Sequence, residues 1–173
     1  VAAGANYTVG AADTIQSLDN TGTSTFNADF TTTGSITNNS SGTLNQAGNL
    51  SVTNALTNDG TLKVTATSSA DVDTFVGSGT GIVDIDPSTT LTLNQSGTST
   101  YSGTITGDGG FTKAGAGVLT LSGAADSSAV NLKGGTFKLG ADNPIANTTQ
   151  VNFNGGTFDT NDFNEGDASN SGI

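Results

Sequence analysis

Short apolar–polar–apolar triplets punctuate the chain at 50–52, 62–64, 91–93, 119–121, 130–132, 137–139 and 151–153. Alternation with period two puts both apolar members on one face of a strand and the middle residue on the other. Turn residues bound nearly all of these runs, so the predicted strands are short, with one buried face and one wet face. Leu119 and Leu121 are therefore expected inside and Thr120 outside.

The spacing of these strands points to their assembly. Gly-Thr-apolar recurs at Gly42, Gly60, Gly103, Gly135 and Gly156. With Gly22 and Gly81, which stand at comparable places, successive glycines lie roughly 20, 18, 21, 22, 32 and 21 residues apart. Coils of about 20 residues are what a β-solenoid needs, each with two or three short strands and Gly/Asn corners. The long interval reads as an inserted loop or a divided rung. Leu44, Leu50, Leu56 and Leu62 add a six-residue period, the mark of a triangular left-handed coil. Hexads fail elsewhere and the rungs drift in length, which a right-handed coil tolerates. The expectation is an all-β, right-handed parallel β-helix forming one solenoid segment over residues 1–173. A β-sandwich is the competing fold. At about 4.8 Å per rung, eight rungs would make a rod of roughly 40 Å. Residues 1–6 and 165–173 offer no apolar cap, so the segment is expected to continue into further rungs. The densest supply of large inward-facing candidates falls in 101–139, which predicts a stable core over roughly 101–160 and fraying over 1–40.

Composition narrows the chemistry. Fifteen acids face four bases, for a net charge of −11. Nucleic acid is thereby excluded as a partner, since a phosphate backbone is bound through clusters of Lys and Arg. Cys and His are absent, which removes disulfides, thiolate metal sites, Ser-His-Asp catalysis and zinc hydrolysis. Neither a run of roughly 18 apolar residues for membrane insertion nor a signal peptide in the opening VAAGANYTVG is present. Thr, Gly, Asn and Ser make up about half of the residues, a strand-and-turn composition.

The stretch YSGTITGDGGFTKAGAGVLTLSG at 101–123 carries the strongest local signal. A phosphate loop would need Ser or Thr after Lys113, and Ala114 stands there instead. The calcium solenoid repeat would need an Asp two residues after its third glycine, and none follows Gly109 or Gly110. The remaining reading makes glycines 107, 109, 110, 115 and 117 tight corners between stacked strands. Elsewhere, Asp71 and Asp73 place two carboxylates on one strand face, and Asp84 and Asp86 do the same a little further on. In adjacent rungs they would gather oxygen ligands for Ca²⁺; the alternative has Val72 and Ile85 inward and the acids solvated. The run at 159–167 fails as an EF-hand loop, because Phe163 takes a ligand position and Asn164 stands where Gly is needed. Paired carboxylates would also serve a glycosidase. The Thr triplets at 23–25, 98–100 and 104–106 invite an ice-binding reading, which requires one phase in every rung. Metal and cofactor are both expected to be absent.

The run at 101–123, followed by VNLKGGTFKLG, resembles the passenger-associated transport repeat of bacterial autotransporters. The elements that carry the resemblance are Tyr101 to Gly103, Ile105 to Gly107, Phe111 to Lys113, Gly115 to Gly117, Leu119 to Gly123 and Gly134 to Leu139. ADNPIANTTQVNFNGGTFDTNDFNE at 141–165 is similar to the rung that follows in such passengers. The resemblance thus extends over 101–165, and it implies a non-catalytic stalk or adhesive rod, surface-displayed or secreted. It also implies a repeat over 101–139 that aids folding and secretion, and a C-terminal translocator barrel in the full chain. Partners implied are host-cell, matrix or self-association partners engaged through the rod surface. In this frame Tyr101, Gly103, Ile105, Gly107, Lys113, Gly115, Gly117, Leu119, Leu121 and Gly123 are structural residues of the repeat. Lys113 is expected to pair with Asp108 at the surface or to cap strand-end carbonyls. The alternative is a polysaccharide-active β-helix enzyme using Asp carboxylates.

Overall fold

A computed structural model describes residues 1–164; the run 165–173, where the sequence offers no apolar cap, lies outside the described residues. The chain winds into a β-solenoid of about eight turns, and every strand pairing is parallel. Each turn has three sides. Side one stacks β1 (Asn6–Val9), β4 (Thr23–Phe26), β7 (Thr43–Gln46), β9 (Thr61–Val64), β11 (Ile82–Ile85) and the first half of β14 (Thr104–Ala114). Side two stacks β2 (Asp13–Ile15), β5 (Phe30–Thr32), β8 (Leu50–Asn58), β10 (Ser68–Val76), β12 (Thr90–Gln95), the second half of β14, the second half of β16 (Ala125–Leu132), whose first half continues side one, and β18 (Gln150–Phe153). Side three stacks β3 (Leu18–Asn20), β6 (Ile36–Asn38), the far halves of β8 and β10, β13 (Thr98–Tyr101), β15 (Val118–Leu121), β17 (Thr136–Leu139) and β19 (Thr157–Asp159). The coil length varies between rungs: a step as short as Asn6 to Thr23 joins column neighbours near the start, and one as long as Gly77 to Tyr101 does so in the middle.

The hexad is explained by this triangle. Leu44 and Leu62 stack on side one, Leu50 lies on side two and Leu56 on side three, so six residues carry the chain from one side to the next. All four are fully buried. The long glycine interval has a different cause from the one expected. Thr23, Thr43, Thr61, Ile82 and Thr104 form one column, so the glycines before them mark the corner into side one. Val118, Thr136 and Thr157 form another column, so Gly117, Gly135 and Gly156 mark the corner into side three. The interval from Gly103 to Gly135 therefore crosses between two corner columns, and the coil keeps its length without an insertion.

Six of the seven triplets behave as predicted, with their end residues buried and their middle residues turned outward. The seventh, 151–153, departs: Val151 is half-buried and Phe153 is 56 % exposed. Val151 stacks on Val130 and Phe153 on Leu132, but neither has a paired strand on its far side among the described residues. Within 101–139, Tyr101, Ile105, Phe111, Leu119, Leu121, Leu132, Phe137 and Leu139 all sit in the core, and Thr120 faces out. Residues 1–17 are mostly exposed, but from Leu18 onward the early coils are well packed, with Phe26 and Phe30 stacked at 4.5 Å and both fully buried. The expected contrast between fraying over 1–40 and a stable core over 101–160 is thus redrawn by the packing: the poorly covered strands are β1 and β2 at one end and β18 and β19 at the other, with 18–40 in the core.

Candidate functional site

The core carries a buried polar spine. Asn20, Asn38 and Asn58 end successive strands on side three, in register, and all are fully buried. Asn20 Nδ2 donates to Asn38 Oδ1 at 2.9 Å, and Asn38 Nδ2 donates to Asn58 Oδ1 at 2.8 Å. Asn58 Nδ2 donates in turn to the Tyr101 hydroxyl at 3.2 Å, where the run of side-chain amides ends. Each amide also reaches a backbone carbonyl in the next coil: Thr43, Thr61 and Ile82. Unpaired amides in such a core would cost about 1–3 kcal/mol each, so the spine holds only when its members are aligned. Tyr101 is stacked on Phe75 at 4.6 Å, and burial pushes its hydroxyl well above the ordinary tyrosine range.

At the other two corners a buried carboxamide again caps the next coil, but without an amide ladder, and the Oε1 of Gln46 and of Gln95 accepts no hydrogen bond. Gln46, at the end of side one, donates from Nε2 to the Ser69 carbonyl at 2.9 Å. Gln95, at the end of side two, donates to the Val118 carbonyl at 3.1 Å and to Ser99 Oγ. Every one of these carboxamides precedes a glycine corner, because the amide must fold back under a turn that carries no side chain. A Cβ at Gly42, for example, would stand 2.9 Å from Asn20 Nδ2. The signal was present in the sequence as Asn20-Thr21-Gly22, Gln46-Ala47-Gly48, Asn58-Asp59-Gly60 and Gln95-Ser96-Gly97. A search for apolar residues at both strand ends passes over it.

Lys113 stands elsewhere than expected. It lies in the inward column of side two between Leu93 and Leu132, with no residual exposure. Its Nζ donates to the Ala114 carbonyl at 2.5 Å and to the Gly115 carbonyl at 3.5 Å. The ion pairs of the described residues join Lys63 to Asp84 and Asp86, and Lys138 to Asp159, so the pairing of Lys113 with Asp108 is not formed. The capping role is the one realised. Burial without a carboxylate pulls the lysine down to about 8. The neighbouring corner depends on Gly115, which adopts φ +72° directly over Gln95. Gly107, at φ +101°, turns β14 from side one to side two.

The aspartate pairs are not brought together. Asp71 and Asp73 lie on β10 between β8 and β12, whereas Asp84 and Asp86 belong to the β11 column between β9 and β14. Asp71 accepts from Asn94 Nδ2 at 2.5 Å and Asp73 from Ser96 Oγ at 2.9 Å. Lys63 Nζ spans Asp84 at 3.3 Å and Asp86 at 3.0 Å. Val72 and Ile85 point inward, as the structural alternative required. Among the described residues no group of three or more Asp, Glu, His or Cys is placed to hold a metal.

The outer surface is built of short polar ladders between coils. Asp29 accepts from the backbone and side chain of Asn49, whose Oδ1 accepts from Ser69. On side two Asn152 donates to Asn131 Oδ1 at 2.9 Å. The Thr triplets at 23–25 and 104–106 share one phase on side one, but the phase does not repeat in every rung. The rungs between them keep Thr43 and Thr61 in the first outward column but place Ile82 there and Asn45, Lys63 and Asp84 in the second, so no continuous threonine face results. The triplet at 98–100 lies on side three. Comparison with models of known protein families, with curated proteins and with solved structures returns no match for this chain.

Proposed function

We propose that this chain is a non-catalytic rod segment from the passenger of a bacterial autotransporter, displayed on the cell surface or secreted. The observation that carries the reading is the coincidence of motif and mechanics in 101–123. Tyr101 ends the amide spine, Ile105, Leu119 and Leu121 fill the core, Lys113 caps a corner from inside, and Gly107 and Gly115 make left-handed turns. A residue pattern that resembles a transport repeat is here used entirely for stacking coils. The outward faces supply closed ladders of amides, hydroxyls and carboxylates, a surface suited to lateral binding of a host-cell, matrix or like partner. Further rungs and a translocator barrel would complete the full protein.

The competing enzyme reading needs two free carboxylates flanking a substrate. Asp84 and Asp86 are both engaged by Lys63, and Asp71 and Asp73 by Asn94 and Ser96. Two experiments test the proposal. Deleting 101–139 from the full-length protein should abolish surface display, measured by antibody labelling of intact cells; normal display would overturn the role of the repeat. A panel of polysaccharides, peptides and esters should show no turnover, and hydrolysis lost on D84N or D86N would overturn the non-catalytic reading.

A further inference from the structure

In a solenoid each coil ordinarily leans only on the coils directly before and after it. One contact in this chain breaks that rule. Val76 pairs with Thr57 and Gly77 pairs with Tyr101, so Asn58, Gly77 and Tyr101 occupy one inward column in three successive coils. The middle position carries no side chain. The Tyr101 ring fills the gap left by Gly77 and delivers its hydroxyl to Asn58 Nδ2 at 3.2 Å, across 43 residues of chain.

Three glycines clear the path. A Cβ at Gly77 would stand 2.2 Å from the Asn58 carbonyl oxygen and 2.6 Å from Tyr101 Cε2, and one at Gly103 would stand 2.3 Å from the Gly81 carbonyl oxygen and 2.6 Å from both Cζ and the hydroxyl oxygen. A Cβ at Gly81 would approach the hydroxyl to 3.1 Å. Phe75, in the middle coil, stacks on the ring at 4.6 Å and fixes its plane. Glycine at 77 thus serves two ends: it lets the backbone pass close to the Asn58 carbonyl, and it leaves room for the Tyr101 ring.

We infer that Tyr101 is a coil-skipping strut that couples the coil ending at Asn58 to the coil ending at Tyr101, so that residues 56–105 open as one cooperative block. The inference concerns the mechanics of the coil and does not depend on the passenger reading. Its consequence is a block of three coils that resists fraying more than a nearest-neighbour stack would, and transmits a disturbance across a whole turn.

Hydrogen exchange on the intact chain tests it. Tyr101→Phe keeps the ring and removes the hydroxyl, leaving one buried Asn58 donor short of a partner. The expected result is about a tenfold faster exchange of the 56–64 amides, two coils away, with 136–139 unchanged. Asn58→Ala should accelerate 98–105 in the same way, and the double variant should exceed neither single variant. No change at 56–64, a uniform rise along the whole chain, or effects that multiply in the double variant would each overturn the strut. Asn58→Ala gives the second route if Tyr101→Phe fails to fold: unchanged exchange at 98–105 in that variant would by itself overturn the inference.

Discussion

Lys113 shows how much a single residue's setting can depart from its sequence impression. A lysine among glycines reads as a surface charge, yet this one lies wholly inside, bonded to two carbonyls and in none of the ion pairs among the described residues. Its folded value near 8 lies below the ordinary 10.5, so the unfolded chain holds the proton more tightly over that window. Stability should therefore rise as pH increases from about 8 toward 10, because folding no longer has to bury a charge. Above about 10 the sign reverses. Tyr101 keeps its proton in the fold while the unfolded chain loses it, which favours unfolding. Chemical denaturation between pH 7 and 11 should thus show a maximum near 10. Lys113→Met should flatten the rise between 8 and 10 while leaving the fall above it. A rise that persists in that variant would show that some other group is responsible.

At the scale of strands, period-two alternation was legible wherever a strand is covered on both sides by its neighbours. It read 119–121 correctly: Leu119 and Leu121 are fully buried and Thr120 is half-exposed. Alternation reports which way a side chain points and not whether anything covers it, which is why 151–153 failed. The Asn-ended strands 18–20, 36–38 and 56–58 escaped for a different reason. Their inward ends are amides, which look like turn residues until a neighbour 18 to 20 residues away is seen to satisfy them. The glycine rhythm was real but mixed two corner columns, so a change of column looked like an insertion. The aspartate pairs misled because spacing along the chain does not say which side of the coil a strand occupies. Replacing Leu119 or Leu121 by Ser should destabilise the region by roughly 2–5 kcal/mol, through lost burial and an unfilled cavity. Thr120→Ser should cost under about 1 kcal/mol, since it alters only a half-exposed position. Urea titration of the three variants decides the phase of β15, and an equal cost at 119 and 120 would contradict it.

Taken whole, the described residues form a stack tied by side-chain ladders, internal and external, in a chain that has no cysteine for disulfides. Every aspartate of the two candidate pairs already has a partner, so chelation with EDTA should leave the melting temperature unchanged. The distribution of stability along the stack follows from which coils have neighbours on both sides. Among the described residues β3, whose Leu18 and Asn20 nevertheless stay buried, pairs only with β6; more open to solvent, β1 pairs only with β4, β2 with β5, β18 with β16 and β19 with β17. Those strands are also the least buried: Asp13 is exposed, Tyr7 and Ile15 are half-covered, and Phe153 is largely open. Between them the core is continuous, from the Phe26–Phe30 stack through the amide spine to Leu139. Local opening free energies in a folded chain run from near zero at uncovered segments up to the global value. Hydrogen exchange on this chain should therefore give a plateau of slow amides over roughly residues 18–139, with fast exchange in β1, β2, β18 and β19. The decisive region is 18–64. If stability came from large apolar side chains alone, these coils would exchange faster than 101–139, as the density of bulky residues in the sequence suggests. If the buried amides contribute as their geometry indicates, the two regions should match within about tenfold. Asn38→Ala, which removes the middle of the spine and leaves Asn20 and Asn58 short of a partner, should then lower protection from 18 through the block at 56–105 while leaving 118–139 at its original rate.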